Sequence, residues 1–91
     1  MLERKKSKKG TTVTFVLPQE AGQGAVSVVG DFNDWIPGSH AFEGRADGTR
    51  AVSVLLPTGS VSAFRYLGEG GRWFDEADPD RHDGVNGYVH A

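Results

Sequence analysis

Apolar and polar residues alternate with a period of two along much of this chain. Val13, Phe15 and Leu17 share one parity, and Thr12 and Thr14 take the other. This is the pattern of a strand with one buried face, predicted over residues 11–17. Pro18 ends it, and residues 19–24 read as a turn. Val26 and Val28 alternate with Ser27 and Val29, which predicts a second strand over 25–30. Gly30 breaks that run. Asp31, Asn33 and Asp34 are turn formers, because their short side chains can bond nearby backbone. Phe32 is the apolar residue expected to pin this turn to the core.

The alternation resumes at Val52, Val54 and Leu56, predicting a strand over 50–56. In the next run, 61–67, Phe64 and Tyr66 share a face. Ala63, Arg65 and Leu67 then point the other way, so Arg65 lies outside if the aromatics are core. Asp47-Gly48, Pro57-Thr58-Gly59 and Gly68-Glu69-Gly70-Gly71 are turn signals. Short strands are expected at 40–42, 72–74 and 85–90, with an acidic loop over 75–84. No window has helical periodicity. About seven short antiparallel strands, with turns every 8–12 residues or so, predict an all-β, immunoglobulin-like sandwich.

Ninety-one residues make one domain, predicted to span residues 11–91. Residues 1–10 read as a basic, disordered tail: the first nine carry a net charge of +4. The body from residue 10 onward carries −6, which argues against a nucleic-acid-binding face. There are no cysteines, so disulfides, thiolate metal sites and cysteine nucleophiles are excluded. No run approaches the ~20 apolar residues of a membrane span. The basic start leads into no apolar h-region, unlike a secretory signal. The expectation is a monomeric cytoplasmic domain that engages no membrane.

The catalytic signals are weak. His40, His82 and His90 are scattered, no serine sits in a G-x-S-x-G elbow, and no His pair has metal spacing. Asp78-Pro79-Asp80-Arg81-His82-Asp83-Gly84 faintly resembles a calcium loop. His82 occupies a position that needs an oxygen ligand, however, and no helices flank it. The glycines at 68–71 lack the following helix and lysine of a phosphate loop. No catalytic residue, metal or cofactor is expected.

The two tryptophans, Trp35 and Trp73, both flank polar turns. An indole can stack on the apolar face of a sugar ring, carrying much contact area with few rotors. Either could equally be core. A sugar site also needs polar rim groups, since each hydroxyl taken from water must find a partner. Arg65 and Asn86 are suitable types, as are Asn33, Glu69 and Arg72.

A family resemblance separates these. Val26-Ser-Val-Val-Gly-Asp-Phe-Asn-Asp-Trp35 resembles the signature of isoamylase N-terminal (early-set) domains, carbohydrate-binding module family 48. That family includes the glycogen-binding domain of the AMP-activated protein kinase β subunit. Leu56-Pro-Thr-Gly59, Phe64-Arg-Tyr-Leu67, Arg72-Trp73, Asp78-Pro79 and Val85-Asn-Gly87 follow in the family's order. The resemblance implies a non-catalytic module that binds α-1,4-linked glucan or maltooligosaccharide. Trp35 and Trp73 would be stacking platforms, and Arg65 and Asn86 would bond sugar hydroxyls. In the glycogen-binding branch a lysine is commoner where Arg65 stands. A leucine that projects into the bound sugar there has no clear match here, with His82, Asp83 or Val85 nearby. The alternative expectation is an early-set interaction domain that docks a glucan-metabolising enzyme or a kinase without binding sugar.

Overall fold

In a computed structural model, which describes residues 1–18 and 24–91, the chain is an all-β sandwich of two antiparallel sheets. The strands are β1 (Leu2–Ser7), β2 (Gly10–Pro18), β3 (Val26–Gly30), β4 (Glu43–Gly44), β5 (Thr49–Leu56), β6 (Val61–Gly68), β7 (Arg72–Phe74), β8 (Arg81–His82) and β9 (Gly87–His90). A 3₁₀ turn, Asp31–Asn33, follows β3. The first sheet has the order β1-β2-β5-β4. The second runs β3-β6-β9-β8, with β7 also paired to β6. The turn expected over 19–24 falls, except for Gly24, outside the described residues.

The predicted inward parities meet between the sheets. Val13, Phe15, Val28, Phe64, Tyr66 and Val89 are almost fully buried, with Val54 and Leu56 beside them. Phe15 lies 5.1 Å from Phe64, and Tyr66 lies 5.5 Å from Phe42, centroid to centroid. Each such side chain contributes roughly 1.5–3 kcal/mol by leaving water. Phe32 does pin its turn: the ring packs 5.8 Å from Phe15.

The N-terminal segment is not a disordered tail. Leu2–Ser7 forms β1, which pairs with β2 from Leu2 opposite Phe15 to Ser7 opposite Gly10. Its lysines sit on an outer edge, where charge is tolerated and discourages further strand pairing. Besides this hairpin pairing, it has partners far away in sequence. The Met1 amino group donates to Glu76 Oε1 at 2.7 Å. Arg4 donates through Nε to the His90 carbonyl at 2.8 Å and pairs with Asp80. These contacts join the β1 edge of one sheet to the β8–β9 edge of the other.

The opposite side is closed differently. The short strand expected over 40–42 is a single bridge, Ala41 to Ser27, and the ladder strand falls instead at Glu43–Gly44. The segment bonds β3 first, His40 accepting from Val28 and Phe42 donating to Val26. It then crosses to β5, so one stretch serves both sheet edges. The C-terminal region also departs from expectation: β8 lies within the predicted acidic loop, and the closing strand begins at Gly87, leaving Val85 in the preceding turn.

Glu76 is a buried carboxylate, with 5% of its surface exposed. Burial alone would raise its carboxyl. Hydrogen bonds from the Met1 amino group, the Asp78 N–H and the Tyr66 hydroxyl outweigh that and hold it below its ordinary value. Burial, then the Glu76 charge, pushes the Tyr66 hydroxyl far up, so it stays a donor. The folded protein therefore binds the Glu76 proton more weakly than the unfolded chain does. Its contribution to stability is complete above the ordinary carboxylate range and fades as pH falls through that range to the lower folded value.

Two outcomes follow from this packing. A Cβ on Gly30 would meet the Ala63 carbonyl oxygen and come within 2.9 Å of the Phe32 ring. Gly30→Ala should cost about 1–3 kcal/mol, read as a lower urea midpoint. Glu76→Gln should cost about 1–3 kcal/mol at neutral pH. Its urea midpoint should also fall less steeply than the unsubstituted protein's between about pH 5 and pH 3.

Candidate functional site

The outward face of the second sheet carries two of the predicted residues, Arg65 and Trp73. On β6, Phe64 and Tyr66 turn inward, so Arg65 and Leu67 face out. On β7, Trp73 stands opposite Leu67 and therefore shares that face. Trp73 is 43% exposed. The Arg65 guanidinium carbon lies 5.7 Å from the Trp73 ring centroid, a cation–π contact on an open surface. The glycine-rich tip before Trp73 closes tightly because Gly70 and Gly71 both take positive φ, near 80°.

Trp35 is half-buried and held by its turn. Its indole Nε1 donates to Asp31 Oδ1 at 3.0 Å. The second oxygen of Asp31 accepts the Ala63 N–H at 2.9 Å. One carboxylate thus ties the Trp35 ring to β6, two residues before Arg65. Asn33 completes the knot: Oδ1 accepts the Gly30 N–H and Nδ2 donates to the Val28 carbonyl, both at 3.0 Å. Asp34 and Trp35 have φ of 54° and 58°, in the left-handed region. For a bulky residue such as Trp35 that is a strained backbone, which persists only where neighbours enforce it.

The turn 83–86 carries Asn86. Asp83 Oδ1 accepts the N–H groups of Val85 and Asn86, and Oδ2 accepts the Tyr88 hydroxyl at 2.6 Å. The tyrosine bond, then the two N–H bonds, hold the Asp83 carboxyl far below the usual carboxylate range. Among the described residues the Asn86 carboxamide takes no partner. β9 runs beside β6 with Phe64 opposite Gly87, so Asn86 is one step from that ladder, towards Arg65. Val85, the neighbour in the turn, is 65% exposed. Arg81 lies over the Tyr88 ring at 4.4 Å.

The structure thus brings Arg65 and Trp73 into contact, places Asn86 on the adjoining turn, and links Trp35 to the same strand. The site stretches along β6: from Ala63 to Leu67 is about 13 Å at the usual strand rise. It is a shallow face. A hollow lined by Ser27, Pro37, Leu67 and Glu69 among others measures about 210 Å³. The sequence pattern gives residues 75–84 only as an acidic loop. Glu76, Asp80 and Asp83 instead take specific partners, and Asp75 pairs with Arg65 at 2.9 Å. Only Asp83 had a local signal, the Asp-Gly-x-Asn order of an Asx-type turn. Among the described residues no cluster of three or more His, Asp or Glu is gathered to hold a metal ion, and no helix is long and apolar enough to cross a membrane.

Comparison with protein-family models gives no match for this chain, and comparison with curated proteins gives none either.

The two indoles should behave differently. With Trp73→Phe and Trp35→Phe each leaving one tryptophan, acrylamide should quench Trp73 more strongly than Trp35. The Trp35 indole N–H should also exchange with solvent more slowly, because Asp31 holds it.

Proposed function

We propose that this domain is a non-catalytic carbohydrate-binding module, related to the early-set modules of family 48, that recognises α-1,4-linked glucan in the cytoplasm. The observation that carries the reading is the open face of the second sheet. There an exposed indole, Trp73, lies under the Arg65 guanidinium, with the uncommitted carboxamide of Asn86 on the next turn. This combination suits a sugar. The indole offers a flat apolar surface to the ring's C–H face, and arginine and asparagine supply donors and an acceptor for hydroxyls.

Trp35 is the second platform. With its N–H bound by Asp31, it contributes its face rather than a polar contact. The leucine of the glycogen-binding branch has no clear match among His82, Asp83 and Val85, but Val85 is apolar and 65% exposed, which makes it available for a contact with sugar. A shallow face binds weakly: a dissociation constant of about 0.1 mM, roughly −5.5 kcal/mol, is expected.

The test is a titration with maltoheptaose or β-cyclodextrin followed by NMR. Saturable shifts should appear at the indole N–H groups of Trp35 and Trp73, at Arg65 Nε–H and at the Asn86 carboxamide. Trp73→Ala should abolish them while leaving the melting temperature nearly unchanged, since its ring is exposed. No shift at millimolar sugar would remove the glucan reading and favour an early-set domain that docks a partner protein.

A further inference from the structure

Arginine on an open strand has many rotamers, and a guanidinium that wanders is a poor partner for a sugar hydroxyl. Arg65 is held on two sides. Trp73 lies beneath it, and Asp75 Oδ1 accepts its Nε–H at 2.9 Å. Trp73 and Asp75 are two residues apart, so one short stretch of backbone sets both. Binding through Nε leaves the terminal nitrogens without a protein partner among the described residues, so they can take a ligand.

Asp75 is held in turn. Its other oxygen, Oδ2, lies 3.4 Å from His82 Nε2. His82 Nδ1 accepts the Gly84 N–H at 3.0 Å. A nitrogen that accepts carries no proton, so the ring proton sits on Nε2, the nitrogen 3.4 Å from Asp75. Gly84 belongs to the turn that Asp83 closes around Val85 and Asn86. A continuous chain of contacts therefore runs from Trp73 and Arg65, through Asp75 and His82, into the turn bearing Asn86. These residues come from β6, from β7 and its exit, from β8, and from the β8–β9 turn.

We infer that Asp75 is a positioning residue for the ligand face, and that His82 couples it to the Asn86 turn. Asp75 fixes Arg65 over Trp73 with its terminal nitrogens free, and His82 sets the Arg65 pair and the Asn86 turn in register. This rests on the glucan reading of the face. It adds residues that touch no sugar and act only through those that do.

The experiment is a double-substitution cycle on maltoheptaose affinity, with NMR of the Arg65 Nε–H in the unliganded protein. Asp75 is exposed, so Asp75→Ala should keep the fold, checked by its melting temperature. Asp75→Ala should weaken binding about 5-fold, and should have no further effect once Arg65→Ala is present. Asp75→Asn keeps an acceptor for Nε and should restore most of the affinity. In free protein the Arg65 Nε–H signal should be sharp, and should broaden or exchange faster in Asp75→Ala. His82→Ala should shift both the Arg65 Nε–H and the Asn86 amide.

Failure has two distinct forms. If the unsubstituted protein binds sugar, then unchanged affinity in Asp75→Ala, or an effect that adds in full to Arg65→Ala, overturns the positioning role alone. If the unsubstituted protein binds no sugar at millimolar concentration, the glucan reading falls, and the role of Asp75 and His82 in it falls with it.

Discussion

The structure depends on the two-sided commitment of β6. This strand pairs with β3 along one edge and with β7 and β9 along the other, and its residues alternate between the core and the outer face. Phe64 and Tyr66 are the inward members, packed against Phe15, Phe42 and Phe74. Moving the register by one residue would bury Arg65 and expose both aromatics, a cost large against the stability of a domain this size. Packing of the core therefore fixes which way Arg65 points. Through the β6–β7 register it also fixes where Trp73 stands. The candidate site is the reverse side of the core.

The acidic residues after β7 act as connectors. Glu76 gathers the Met1 amino group, the Tyr66 hydroxyl and the Asp78 N–H. Asp80 takes Arg4 and the His90 N–H. Asp75 takes Arg65, and Asp83 closes the turn before β9. Each carboxylate satisfies donors that the irregular backbone and the sheet edges would otherwise leave open. The same short segment thus secures the N-terminal strand on one side and shapes the candidate ligand face on the other.

Much of this was legible in the sequence, and the reason is local. The parity of Val13, Phe15, Val52, Val54, Phe64 and Tyr66 needs only neighbouring residues to be read, because side chains on a strand alternate whatever its partner. The outward placement of Arg65 follows from that parity. The turn after β3 was legible too, since Asn33 bonds the Gly30 N–H and the Val28 carbonyl within a few residues of itself, although one oxygen of Asp31 reaches the distant Ala63 N–H. The strand at Leu2–Ser7 was not legible. Its charges resemble a solvated tail, and beyond its hairpin partner β2 the groups that hold it, Glu76, Asp80 and the His90 carbonyl, are more than seventy residues away.

By itself, then, the sequence determined an all-β chain and the faces of its principal strands, and with them the outward placement of Arg65. Those properties arise from periodicity and residue type, which are written in order along the chain. Only the tertiary structure decided that Trp73 is open while Trp35 is braced by Asp31, that Asp75 and His82 stand behind Arg65, and that the basic N-terminus is an edge strand. Those facts depend on which distant carboxylate meets which donor. Pairing of that kind is settled by the register of the sheets and the closure of their edges, since neither is specified by any stretch of chain alone.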